Sequence, residues 1–441
     1  MKKLLYYLLY LLILIPSTTF GWGITTTMGI GTSLPGWSWS LESSLVPTTG
    51  SIVGIETYAG TNRTRVNPDT GFVESVGANV ARFEEVGGYK GVLIEPASTN
   101  FFLNSPGFGS WIGTRASVST NITTAPDGTN TASKLVVDGT PASDHSLYHD
   151  IVHTSFTNNA KVTYSFYVKS AEYSWVFLNI ATKTPAYPYI YFNTTTGAVG
   201  SETVDSYGSE DVGDGWWRVW LTHNIGTGVG TTRWTIYPAE SNGDITINGD
   251  SSSGIYIWGP QVEQSPIPTS LIYTTGTAGI RATEAGEPHF ALPSGLFDDK
   301  GTAIVWWRPG FSASQGDGTA RGIVGTRNSS LSLIYCDADD DQIKSYDGDQ
   351  TPNQTLAWSA NTWYKLVVKW NYDVAGTAKF RVGVDSGSGV SWGSAKTWVG
   401  PYAIATHIKI GHSLFSRMHL RQLSLFPTVL SDAQIDSMGS P

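Results

Sequence analysis

Apolar residues in this chain come almost entirely in short alternating runs, each closed by Gly, Asn, Asp or Pro. Lys161-Val162-Thr163-Tyr164-Ser165-Phe166-Tyr167-Val168 is one example, and Gly254-Ile255-Tyr256-Ile257-Trp258 is another. In a strand, successive side chains point to opposite faces, so runs of this kind bury one face of a pleated sheet. The pairs Asp127-Gly128, Asn242-Gly243 and Asp347-Gly348 suit hairpin turns between such strands. Beyond residue 21 no long stretch carries a 3.6-residue period. One short helix is predicted at the end, with Ser431 as cap, Gln434 completing a capping box and Ala433 to Met438 as its body. The fold class is all-β.

With 441 residues the chain is long enough for two or three domains. Short strands with turn-rich joints occupy 22–90. A continuous strand series covers 91–275, a small polar linker 276–284, and a second series 285–441. Both long blocks have the length and strand spacing of β-sandwiches, giving two tandem jelly-roll domains behind a short β-rich N-terminal region. The absence of a 20–50-residue repeat argues against a propeller or β-helix. Charged residues are only 14% and the net charge is −9, which offers no basic patch for phosphates and excludes nucleic acid as an expected partner. Cys336 is the one cysteine, so no intrachain disulfide forms.

Met1 to Gly21 reads as a secretory signal: Lys2 and Lys3, then the apolar run Leu4 to Ile15, then small residues. A run of 12 residues spans roughly 18 Å as a helix, short of the ~30 Å hydrocarbon core, so no stable membrane span is expected once it is cleaved. A cleaved signal of this kind is expected to place the protein outside the cell.

Gly91-Val92-Leu93-Ile94-Glu95-Pro96-Ala97-Ser98-Thr99-Asn100 resembles the GLLIEPARTN signature of phage and prophage structural proteins. Val80-Ala81-Arg82-Phe83 before it, Ala125-Pro126-Asp127-Gly128-Thr129, Glu210 to Arg218, Tyr256 to Glu263 and Pro268-Thr269-Ser270-Leu271-Ile272 after it resemble further segments of that family. The resemblance covers about 200 residues. It implies a carbohydrate-binding-module-like jelly roll of the kind found in tail and fibre proteins, with Val92 to Ile94 as its first core strand. Ser98 stands where the family has Arg, and Gly109 replaces a Glu of related sugar-binding modules that hold a structural calcium. The C-terminal block is similar to concanavalin A-like, laminin-G-like sandwiches. Asn361 to Trp370 and Phe380 to Gly387 match the central strand and hairpin of that fold, and Ile408 to Gly411 and Leu423 to Ile435 match its closing strands and helix. Pro96 should end its strand, since proline cannot donate to a ladder. Glu95 should then accept hydrogen bonds from a neighbouring loop in a structural role.

Sugars are held by aromatic faces framed by polar groups. With Val176, Leu178 and Ile180 facing a core, Trp175, Phe177 and Asn179 face outward. By the same rule Tyr189 and Tyr191 oppose Ile190 and Phe192. Trp216, Arg218 and Trp220 oppose Val219 and Leu221, and Trp234 is read as a similar case. The candidate ligand-binding residues are therefore Trp175, Phe177, Tyr189, Tyr191, Arg218, Trp220 and Trp234. A face this aromatic is covered by glycan or by protein: residues 22–90, the other sandwich, or a sister chain. Asp337, Asp339 and Asp341 are weak calcium candidates, because Gln342 and Gly348 break the EF-hand pattern. No catalytic motif stands out. Gly249-Asp250-Ser251 reads as a turn, and no metal-protease, nucleophile-elbow or phosphate-loop pattern occurs. The leading expectation is a non-catalytic protein that binds cell-surface or extracellular polysaccharide, with no certain cofactor. A structural, oligomer-forming virion component is the alternative, and a glycoside hydrolase or lyase ranks below it.

Overall fold

The computed structural model describes residues 37–40, 62–78, 80–181, 187–228, 230–282, 289–291, 300–315, 320–326, 332–337, 340–347, 349–399, 407–411 and 417–439. The candidate signal at 1–21, Asp339 and the Gly348 turn lie outside them. The described chain is nearly all strand, arranged in antiparallel sheets, as the alternation predicts. The capping box at Ser431 and Gln434 is formed, and the helix it starts spans Asp432–Asp436, two residues shorter than expected at its far end.

Two six-stranded sheets face each other in the first sandwich. One runs in the order Val199–Glu202, Tyr189–Asn193, Trp175–Ala181, Thr231–Ala239, Ser146–Val152, Ile112–Thr114. The other runs Ser206–Asp211, Trp216–Asn224, Lys161–Ser170, Gly254–Glu263, Ala132–Val137, Ala116–Thr123. Val176, Leu178, Ile180, Ile190 and Phe192 from the first sheet share a core with Val162, Tyr164, Phe166, Val219 and Leu221 from the second. Each aliphatic or phenyl side chain removed from water here contributes about 1.5–3 kcal/mol, which fixes which face of each strand turns inward.

The second sandwich is built from a nine-stranded and a six-stranded sheet. The strand Tyr89–Ile94 belongs to the larger one. It pairs with Phe83–Val86 on one side and with Met418–Phe426 on the other, and Val92 and Ile94 pack in the same core as Trp307, Leu366 and Leu420. The expectation that Val92 to Ile94 opens the first sandwich is thus corrected. Alternation says that a strand buries one face; it does not say which sheet supplies the cover. Only after Pro96 does the chain cross to the first sandwich, where Ser98–Asn100 pairs with Gly279–Arg281. Cys336 lies in the second core, where burial pushes its thiol up to about 12 and leaves it inert.

Glu95 sits at this crossing and is fully buried. Its carboxylate accepts from the Ser270 backbone N–H at 2.7 Å and the Ser270 hydroxyl at 2.6 Å. It also meets Arg82 at 2.7 Å, Arg281 at 3.2 Å and Arg417 at 3.4 Å. A structural acceptor was expected; the three guanidiniums, drawn from residues far apart in sequence, were not. Ser98, standing where the resembled family has Arg, donates instead to Glu263, which also accepts from the Thr269 backbone and hydroxyl. Close by, Glu84 pairs with His419 at 2.8 Å and accepts from the Val66 backbone N–H.

This junction contributes to the response to acid, alongside groups such as His149, Asp250 and Asp385 that are also lowered. Burial pushes the Glu95 carboxyl up, but Arg281, Arg82, Arg417 and Ser270 outweigh it and hold the group below its ordinary value of 4.5. For Glu84, burial is likewise outweighed by His419 and Arg417, and the group is also lowered. His419 is lowered from 6.5, because burial outweighs its attraction to Glu84. All three groups bind protons less readily folded than unfolded, so each contributes stability above its unfolded value and loses it as pH falls. Melting temperature should therefore decline below about pH 6.5 and more steeply below about 4.5. His419→Gln should flatten the upper part of that profile in a thermal-melt series; an unchanged profile would detach the effect from this junction.

Candidate functional site

The seven aromatic and cationic candidates do not share one face. Trp234 is in the core, with no exposed surface, against Tyr164 at 5.5 Å and Phe156 at 6.2 Å between ring centres. The expectation that it faces outward is corrected by its own strand: Trp234 and Ile236 share a parity, and Ile236 is core. Arg218 does lie opposite Val219 and Leu221, but it is buried rather than open. It donates to the Thr269 carbonyl at 2.6 Å and the Ser165 hydroxyl at 3.2 Å, and lies 5.5 Å from the Tyr167 ring centre. Trp216, on the same face, is also buried, under Val73, Ala125 and Leu271. This outer sheet face is covered by the ribbon of Arg63–Val66 and Val73–Val76 and by the segment after Glu263, which matches the protein-cover alternative. Trp220, half-buried, lies across Gly208, where an added Cβ would run into the indole.

Trp175, Phe177, Tyr189 and Tyr191 lie on the opposite sheet, on the face turned away from the core. Cross-strand register arranges that face in rows. One row runs Tyr189, Asn179, Thr235, Tyr148, Ile112 across five strands. The next runs Tyr191, Phe177, Tyr237 and ends on Ser146 and Thr114, and a third pairs Ala181, Arg233 and Asp150. Phe177 is the hub. Its ring centre is 4.7 Å from Tyr191, 5.2 Å from Tyr237 and 5.3 Å from Tyr189. Tyr189 meets Tyr191 edge-on at 5.9 Å. Phe177, Tyr189, Tyr237, Tyr148 and Trp175 are half-buried; Tyr191, expected to lie open, is buried beneath its neighbouring rings, and Asn179 and Thr235 form a buried polar floor between them.

The charged end of the face is built by pairing. Arg233 donates from Nε and Nη2 to the two Asp150 oxygens, each at 2.8 Å. Its planar guanidinium lies 3.7 Å from the centre of the Tyr148 ring, which attracts the cation and holds it in place. The hydrogen bond to Asp150 raises the Arg233 pKa. Arg115 donates to the Asp144 carboxylate and, from Nε, to the Asp144 backbone oxygen at 2.7 Å. Burial pushes the phenols of Tyr191 and Tyr237 up, so both stay protonated donors near neutrality.

Tyr148, Asp150, Arg233 and Tyr237 were missed in the sequence. Anchoring Thr231–Ala239 on Ile236 rather than on Trp234 would have turned Arg233, Thr235 and Tyr237 outward together. Of the calcium candidates, Asp337 is held by Lys344 at 2.9 Å, a lysine shared with Asp340 at 2.7 Å, and Asp341 sits in the turn with φ of 52°. No cluster of three or more metal-ligating side chains occurs among the described residues. Gly249-Asp250-Ser251 is a turn, with Asp250 accepting from Ser252 and Ser253. No helix among the described residues is long and apolar enough to cross a membrane.

No protein-family model matches the sequence, and no curated protein matches it. Among solved structures, the chain is similar to a candidate carbohydrate-binding protein from Bacteroides ovatus, at 11% identity over 67% of this chain and 80% of that one, TM-score 0.25. It is also similar to Trypanosoma rangeli sialidase in complex with sialic acid, at 12% identity over 70% of this chain, TM-score 0.26, and it spans 60% of that enzyme. Mouse laminin α1 domains LG4–5 match at 10% identity over 74% of this chain and 90% of that one, TM-score 0.20. At these scores the likeness carries no argument about function.

Proposed function

We propose that this chain is a non-catalytic glycan-binding protein, acting outside the cell or on a virion surface, and that its site is the open face centred on Phe177. The observation that carries this reading is the ring cluster of Phe177, Tyr189, Tyr191 and Tyr237 set beside the Asn179 and Thr235 floor on a solvent-facing sheet. Sugar rings present C–H patches to aromatic faces and hydroxyls to amides, hydroxyls and carboxylates, and this face offers both within one row. From Tyr189 to Tyr148 the row crosses three strand intervals, about 14 Å, a span for an oligosaccharide rather than a single ring. The candidate signal at Met1 to Gly21 supports the location, and the GVLIEPASTN run keeps the virion reading in view.

A glycan array probed with the whole chain tests the reading. Phe177→Ala and Tyr237→Ala should each weaken binding at least tenfold, the range of an aromatic anchor of about 2 kcal/mol or more. Trp220→Ala, on the opposite sheet, should not. Binding lost equally in all three variants would move the site elsewhere.

A second reading has a specific basis. Ile112 and Tyr187, at 53% and 63% exposed, extend the face with apolar surface that a sister chain could cover. Sedimentation would then show an oligomer that Phe177→Asp dissociates, and the array would stay blank.

A further inference from the structure

We infer that the Phe177 face selects uncharged glycans over sulfated, sialylated or uronate-bearing ones, with Asp150 and Asp144 as the selecting residues. The inference rests on the glycan reading above and deepens it. Acidic glycans are captured by guanidiniums whose N–H donors are free to fork onto a carboxylate or sulfate. On this face, among the described residues, both guanidiniums are already engaged. Arg233 gives Nε and Nη2 to Asp150, and Arg115 gives Nη2 and Nε to Asp144. An anionic ligand would find each guanidinium already neutralised by the carboxylate beside it and would reach only the donors those bonds leave over, so it would gain little attraction while its own charge loses water.

The residual charge points the same way. Two arginines stand against Asp144 and Asp150, and Asp244 adds negative potential at the Tyr191 end. The chain as a whole carries −9. An uncharged sugar meets none of this resistance. A carboxylate has about four lone-pair sites, so Asp150 can hold Arg233 and still accept from a hydroxyl. The guanidinium stacked on Tyr148 becomes a flat, neutralised edge to the aromatic row rather than an anion trap.

The test is a glycan array holding matched neutral, sulfated, sialylated and uronate forms of the same backbones, read with the whole chain, with Asp150→Asn and with Asp144→Asn. The unaltered chain should bind neutral forms at least tenfold better than their acidic counterparts, and added salt should leave neutral binding unchanged. Each Asn variant keeps the side chain's shape but removes the negative charge that neutralises its arginine, so the ratio of acidic to neutral binding should rise about tenfold. Circular dichroism confirms that each variant is folded, and having two variants guards against the failure of either. Acidic forms bound as well as neutral ones by the unaltered chain, or a ratio unmoved in both folded variants, would overturn the selectivity while leaving glycan binding intact. A blank array from folded chain would overturn both.

Discussion

Glu95→Ala is expected to lower the free energy of unfolding by about 3–5 kcal/mol, the cost of breaking a buried ion pair by removing one partner. The carboxylate is fully buried and faces Arg82, Arg281 and Arg417 together. Its loss leaves three guanidiniums facing one another without their shared counter-charge, two of them with fully buried side chains. It also strips two acceptor contacts from Ser270. Glu95→Gln keeps the shape and one strong acceptor, so it should fall between the variant and the parent. Denaturant titration measures both; a loss below about 1 kcal/mol, in the range of an exposed pair, would mean that water reaches this junction and the network is not what joins the two sandwiches.

Trp234→Ala comes next in size, at about 3–5 kcal/mol for a large aromatic removed from a packed core. Trp234 touches Tyr164 and Phe156 from between the sheets, inside the core of the first sandwich. The comparison with Phe177→Ala is what makes the experiment informative. Phe177 is half-exposed and should weaken glycan binding with a modest effect on stability. Trp234 should do the reverse: a large drop in the denaturation midpoint, with binding retained by whatever fraction remains folded. If Trp234→Ala lost binding at unchanged stability, the assignment of that ring to the core would be wrong.

How much of this was legible depends on what each residue needed to know. Phe177, Tyr189 and Tyr191 were placed outward because core-facing Val176, Leu178, Ile190 and Phe192 beside them fix the parity of their strands, and parity is local. Trp234 was misplaced for a local reason too: Ile236 two residues on held the answer. Arg218 failed differently. Its parity was read as it stands, but whether an outward side chain meets solvent depends on the segment around Thr269, which lies 51 residues on and carries no pattern announcing its destination. Glu95 shows the same limit from the other side. A carboxylate ahead of Pro96 can be read as a strand-end acceptor, yet nothing in the run names Arg281 or Arg417. The charge pairing on the Phe177 face was also invisible, because Asp150 and Arg233 lie on strands that become neighbours only once the sheet is assembled.

The strand Tyr89–Ile94 lies in the same sheet as Met418–Phe426, and Glu84 reaches His419 across 335 positions. On a ribosome these partners are made far apart in time. The early strand leaves the exit tunnel long before the segment that will border it exists, while the first sandwich, whose strands fall between 112 and 263, can close in the interval. Such long-range pairing is slow to form, because loop closure precedes its reward. Until it forms, one side of 89–94 is an open ladder that a neighbouring nascent chain could join. A transcript interrupted after codon 263 but before codon 418 would thus release a polypeptide with a finished first sandwich and a sticky, half-paired margin. A cell expressing this protein has reason to degrade that product rather than store it.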